Sequence, residues 1–292
     1  MKLIKLLRIL AFASLVLFSC GEPKLDPNSI FGSDTREKNE FDLWLHKNYT
    51  ERYNIEFKYR FEDKESDNTY NLVPADYTKS VALAKLVQFL WTDVYSELLG
   101  EDFLRQYSPR IFHLIGSPAY NTQGSIVLGT AEGGLKITLF NVNMINTEHI
   151  NVQELNYWYF KTIHHEFAHI LHQTKNYPPE FNLISASDYQ SGSWVNLSEK
   201  EALKMGFVSK YGSSETQEDF VEIIAVYVTN SEEHWKGLLS QAGENGSAKL
   251  KQKLDIVKSY LSTNWNIDLD KLRSIVQRRS QEVVGLDLKS LQ

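Results

Sequence analysis

The chain has 292 residues, 42% of them hydrophobic and 12% aromatic, enough apolar matter for a core of one large or two small lobes, which excludes a disordered chain. Its formal net charge is −6, and without the three basic residues of an N-terminal leader it becomes −9 (28 basic against 37 acidic), so no nucleic-acid partner is expected. A single cysteine excludes disulfides within the chain.

Lys2, Lys5 and Arg8 precede an apolar run over residues 9–18 that is too short to span a bilayer permanently, and residues 1–19 read as a signal peptide. The run ends in Leu17-Phe18-Ser19-Cys20, which resembles the bacterial lipobox, in which the cysteine is acylated and becomes the mature N-terminus. The resemblance implies a cell-envelope lipoprotein held to a membrane through Cys20, each buried acyl methylene contributing about 0.8 kcal/mol. Gly21 in place of an aspartate points to the outer membrane, with periplasmic and surface-facing placement both open. Residues 20–40 then serve as lipid-anchored cysteine and flexible tether, and residues 41–292 as the folded domain.

In chain order, residues 41–49 suit a short helix, and the alternation of Tyr53, Ile55, Phe57, Tyr59 and Phe61 with polar residues predicts a strand with one buried face. A helix is expected over residues 77–99, with Leu83, Leu86, Val87, Leu90, Val94 and Leu98 as its apolar stripe and Gly100 as its stop. Residues 110–115 and 125–131 read as strands, the second turning through Glu132-Gly133-Gly134 into a hairpin partner at residues 135–139. If that second hairpin strand is a sheet edge, its free backbone groups can receive an extended peptide. Asn151-Val152-Gln153-Glu154 has the form of a capping box and opens a long helix; Leu155, Tyr159, Ile163, Phe167 and Ile170 form its packed side, with Trp158, Thr162, His165, His169 and His172 along another face. Tyr177-Pro178-Pro179 ends it, and a polar, aromatic loop follows over residues 180–198. Helices are expected at 215–228, at 232–240, after a Gly-Glu-Asn-Gly loop at 247–261, and from 269 into the 280s. The pattern predicts an α+β fold: a small mixed sheet with the motif helix in an N-terminal lobe (about 41–175), then a mainly helical C-terminal lobe (about 176–292).

Within the long helix stands His165-Glu166-Phe167-Ala168-His169. A spacing of four puts both imidazoles on one face, where they can grip one Zn²⁺, while Glu166 reaches the water that the metal activates and acts as general base. His164 points about 100° away, and His172 lies about 4.5 Å further along the axis, so neither is expected to bind metal. A catalytic zinc needs a third protein ligand. The metzincin extension requires Gly at 172 and His or Asp at 175, where this chain has His172 and Lys175, and that family is excluded. The acidic stretch from Tyr211 to Glu222 is the richest source. Glu215 fits a carboxylate answering the dipole of a helix N-terminus. Glu218 and Glu222 lie four apart on one face, so one can bind metal while the other accepts a hydrogen bond from a ligand imidazole. Spacing alone does not choose between them.

Tyr211-Gly212 followed by Glu218-x-Phe220-x-Glu222, some fifty residues after the His-Glu-x-x-His, resembles the catalytic domain of the anthrax lethal factor group of gluzincins. It is similar also to the zinc-binding metallopeptidase lipoproteins that accompany TonB-dependent nutrient-import systems. Carried across position by position, the resemblance implies a zincin-like fold, Zn²⁺ as cofactor, Glu218 as third ligand, Tyr211 as donor to the oxyanion and Glu222 as partner of a ligand histidine. Residues 176–210 carry no motif that maps onto it. The expected activity is peptide-bond hydrolysis on a peptide or protein substrate by a membrane-anchored enzyme, with import components as possible partners. The alternative is a non-catalytic, zinc-containing accessory lipoprotein that binds a partner or nutrient; a hydrolase of non-peptide bonds is a third reading. The intact Glu166 argues against the accessory protein, since a structural zinc saturated by ligands needs no acid/base beside it.

Overall fold

A computed structural model of the chain describes residues 37–62, 66–67, 69–120, 126–127, 129–132 and 134–291. The signal peptide, Cys20 and most of the tether lie outside the described residues. A compact unit begins at Asn39.

Helix α1 (residues 40–53) starts on a full capping box, in which Asn39 accepts from the Asp42 N–H and the Asp42 carboxylate accepts from the Asn39 N–H. Its middle, His46–Thr50, is a π-helical turn, and Asn54 leaves it in the left-handed conformation (φ 57°). The chain enters strand β1 (Glu56–Lys58), shorter than the expected strand because Tyr53 ends α1 and Phe61 lies beyond the strand; the alternation holds over Ile55, Phe57 and Tyr59, which are buried. Helix α2 (residues 77–99) covers the predicted span, capped by Asp76, which accepts from the Thr78 and Lys79 N–H groups. Gly100 (φ 85°) stops it, as expected. Its stripe Leu83, Leu86, Val87, Leu90 and Val94 enters the main core, each side chain adding about 1.5–3 kcal/mol by leaving water.

A helix absent from the sequence reading, α3 (Glu101–Tyr107), leads into β2 (Ile111–Leu114). The short pair β3 (Ala119–Tyr120) and β4 (Ile126–Val127) forms a separate two-stranded ribbon. Strands β5 (Gly129–Glu132) and β6 (Lys136–Leu139) form the predicted hairpin. The four-stranded sheet has the order β1-β2-β6-β5, with parallel pairs β1/β2 and β2/β6 and an antiparallel β5/β6 pair. The expected edge is therefore corrected. The second hairpin strand, β6, is central, buried along its whole length because β2 claims its other side, and the edge is the first hairpin strand, β5.

Helix α4 (residues 152–174) carries the histidine motif. The C-terminal part is helical, as predicted: α5 (Phe181–Ile184), α6 (Glu199–Met205), α7 (Thr216–Thr229), α8 (Glu232–Trp265) and α9 (Leu269–Glu282). The expected Gly-Glu-Asn-Gly loop shrinks to a break at Gly243 (φ 70°, ψ −175°) inside α8. Past the break, a Cβ at Gly246 would stand 2.3 Å from the Leu203 carbonyl oxygen, so the bare backbone lies directly against α6. Among the described residues no helix is long and apolar enough to cross a membrane.

Candidate metal centre

Asn151 opens α4 by accepting from the Gln153 and Glu154 N–H groups, one half of the predicted capping box. A π-helical turn, Asn156–Phe160, follows before the regular helix Lys161–Thr174. One side of that helix enters the core through Ile163, Phe167 and Leu171. His164 goes the same way. Its Nδ1 meets the Tyr95 hydroxyl at 3.0 Å, and burial drives its pKa down to about 3, so it is a neutral core group outside the His165, His169 and Glu218 cluster.

The other side faces α7. His165 Nε2 and His169 Nε2 lie 3.2 Å apart, and Glu218 Oε2 lies 3.0 Å from the first and 3.4 Å from the second. Among the described residues these are the three His, Cys, Asp or Glu groups that converge closely enough to hold one ion. The remaining ring nitrogens are occupied. His165 Nδ1 donates to Glu222 Oε1 at 2.9 Å, and His169 Nδ1 pairs with His172 Nε2 at 2.9 Å. The two candidate carboxylates thus do different things: Glu218 reaches the Nε2 side of both rings, while Glu222 reaches only the far nitrogen of one.

The chemistry of these atoms fits a cation. With each Nδ1–H given to its own partner, both Nε2 atoms present lone pairs to one another and to a carboxylate oxygen, an assembly of acceptors that is favourable only around positive charge. The electrostatics agree. Burial opposes a charge on His165, yet Glu218 and Glu222 override it and lift its pKa to about 9. Burial also works against an ionised Glu218, and the two histidines hold it well below the usual carboxylate range. Glu222 is 2% exposed and is kept ionised against burial by Lys161 and His165.

Glu166 lies in the cleft, its carboxyl raised by burial and only partly lowered again by His165 and His169. Two adjoining cavities, of about 350 Å³ and 480 Å³, share Val127, Gly129, His165, Glu166 and Tyr211. Tyr211 begins the 3₁₀ turn Tyr211–Ser213, with its ring 5.9 Å from that of His165 and 5.1 Å from that of Trp194. Burial and the neighbouring Glu218 carboxylate push its hydroxyl up, so it remains a protonated donor. Glu215 occupies the N-cap position of α7.

Three residues escape the sequence reading. Lys161 Nζ lies 2.9 Å from Glu222 Oε2, and Ser209 Oγ donates to the same oxygen at 2.6 Å. Trp194 sits on the 3₁₀ turn Ser191–Asn196 and walls the smaller cavity; that segment is tied to the Tyr211 turn by the Gln190 and Ser191 N–H groups, which donate to the Ser213 and Ser214 carbonyls. Lys161 stands four residues before His165, a signal available in principle, whereas Ser209 and Trp194 follow no pattern.

Residues 34–270 match a family described as "Putative zinc-binding metallo-peptidase". The crystal structure of a putative zinc-binding metallo-peptidase from Bacteroides caccae ATCC 43185 is 46% identical, aligns over 90% of this chain and 100% of that one, and superposes with a TM-score of 0.77. No curated protein matches. With a match over most of its length and a solved relative of this identity, the chain belongs to the zinc-binding metallo-peptidase family so described.

Proposed function

We propose that this protein is a zinc-dependent peptidase of the gluzincin type, related to the lethal factor group, in which His165, His169 and Glu218 hold the metal. The observation that carries the reading is the convergence of these three donors, all within 4.8 Å of one another, beside the Glu166 carboxylate in an open cleft. Zinc, when bound, supplies Lewis acidity and brings the pKa of water towards 7.

The chain's own residues divide the remaining work. Glu166 takes a proton from the attacking water, whose oxygen bonds to the carbonyl carbon, and returns it to the amine nitrogen as the C–N bond breaks. Its half-desolvated carboxyl suits a group that must both accept and give a proton. Tyr211 donates its hydroxyl proton to the oxyanion, an interaction strongest when charge has developed. Glu222 and His172 fix the ligand rings through Nδ1. An extended substrate adds to β5, the edge strand among the described residues, whose Gly129 lines both cavities.

The lipobox-like Leu17-Phe18-Ser19-Cys20 supports a membrane anchor at Cys20, and the likeness to import-associated lipoproteins supports a role beside a nutrient-import system. The test is metal analysis with a peptide-library cleavage assay on the full chain, with and without chelator. Glu166→Gln is expected to retain zinc and to lose about 10²–10⁴-fold in turnover. Undiminished cleavage by this variant would remove Glu166 as the base, and a protein that takes up no zinc would sink the reading as a whole.

A further inference from the structure

The Glu222 carboxylate is nearly sealed from water, and it is split between two tasks. Its Oε1 accepts from His165 Nδ1 at 2.9 Å, while its Oε2 receives Lys161 Nζ at 2.9 Å and Ser209 Oγ at 2.6 Å. A buried carboxylate is retained as a charge only where a cation and hydrogen bonds compensate its lost hydration. Here Lys161 is the cation. It stands on α4 one turn before His165, so the same helix face supplies the imidazole and the ammonium, and Glu222 bridges them from α7. The three groups at Glu222 fix its plane, and with it the direction in which His165 presents Nε2.

We propose that Lys161 is a positioning residue of the metal centre, acting through Glu222 to orient His165 for metal binding. The proposal rests on the zinc reading above. Lys161 also lines the 350 Å³ cavity beside Glu166, so the competing role is direct contact with substrate, and the two roles predict different measurements.

The experiment is zinc affinity of the full chain, measured by competition with a chromophoric chelator, alongside KM and kcat on a cleaved peptide. Lys161→Met is expected to weaken zinc binding about tenfold or more, the range found when the partner of a ligand histidine is disturbed. Lys161→Arg, which keeps the charge, should retain most of the affinity. In a Glu222→Gln background, Lys161→Met should cost nothing further, because the group through which it acts is already altered. Affinities are compared among variants with the wild-type far-UV spectrum, and Lys161→Gln takes the place of Lys161→Met if the latter misfolds. Zinc affinity unchanged with a raised KM would overturn the proposal and assign Lys161 to substrate. Equal losses in both backgrounds would also overturn it. A wild-type chain that binds no zinc would bring down the metal reading itself, a result separable from either of these.

Discussion

His165 and His169 are held at Nδ1 by chemically different partners, a carboxylate for the first and a second imidazole for the second. Burial lowers the His172 pKa to about 4, with the neighbouring His169 adding to the shift, so His172 stays neutral and offers its Nε2 lone pair to the His169 N–H. His172→Phe fills similar space without that acceptor; it is expected to weaken zinc binding about tenfold, read by chelator competition, and an unchanged affinity would count against the role. His165, Glu166 and His169 were legible as a group because everything that relates them lies within one helical turn. The choice between Glu218 and Glu222 was not legible from spacing, since both share a face of α7 and only the packing of α7 on α4 decides which ring nitrogen each one meets. Lys161 and Ser209 matter only through Glu222, and no local pattern announces that. The axial offset sets His172 apart from His165 and His169 in the sequence, while its pairing with His169 Nδ1 depends on ring orientation, which spacing does not encode.

At the scale of elements, the close seating of β5 on α4 depends on Gly129, where an added Cβ would stand 2.5 Å from Thr162 Cγ2. Gly129→Ala is expected to destabilise the protein by about 1–3 kcal/mol in urea unfolding and to raise KM for extended peptides, as overpacking pushes the edge strand off the helix. Thr162→Ser removes the opposing methyl, so adding it should recover much of the loss; no recovery would place the strain elsewhere. The long helices α2, α4, α7 and α9 were legible because each has a strong apolar period and a recognisable start or stop. Helix α6 was missed although Ser198 and Glu201 form a full capping box, since its seven residues give too short a period to stand out from the polar segment before it. The condition that the second hairpin strand be a sheet edge fails because strand order is set by which partner β2 selects, and alternation within β6 carries no information about that.

Across the whole molecule, α7, which carries Glu218 and Glu222, is tied to α8 through a buried ion pair. Lys253, on α8, places Nζ 2.6 Å from Asp219 Oδ2 and 2.7 Å from the Gly206 carbonyl, and Tyr189 donates to the same Asp219 oxygen at 2.8 Å. Both charged groups are fully buried. Burial lifts Asp219 to about 6 and lowers Lys253, with their mutual attraction offsetting only part of the cost. Lys253→Met is expected to cost about 3–5 kcal/mol, because it strands the Asp219 charge; a loss below 1 kcal/mol in urea unfolding would show that the pair is not the tie. Metal should act on the whole fold as well. Free zinc at a hundred times its Kd adds about 2.7 kcal/mol by mass action, so chelator is expected to lower the melting temperature reversibly, and a melting temperature indifferent to zinc would contradict the site. The separation of the donors has a consequence for biosynthesis. His169 and Glu218 lie 49 residues apart, so a nascent chain has made His165, Glu166 and His169 long before the proposed third donor exists. On the proposed reading, activity is expected only once α7 has been made and folded back onto α4, and chains cut short before residue 218 are expected to be inert, which a cleavage assay on truncated chains checks.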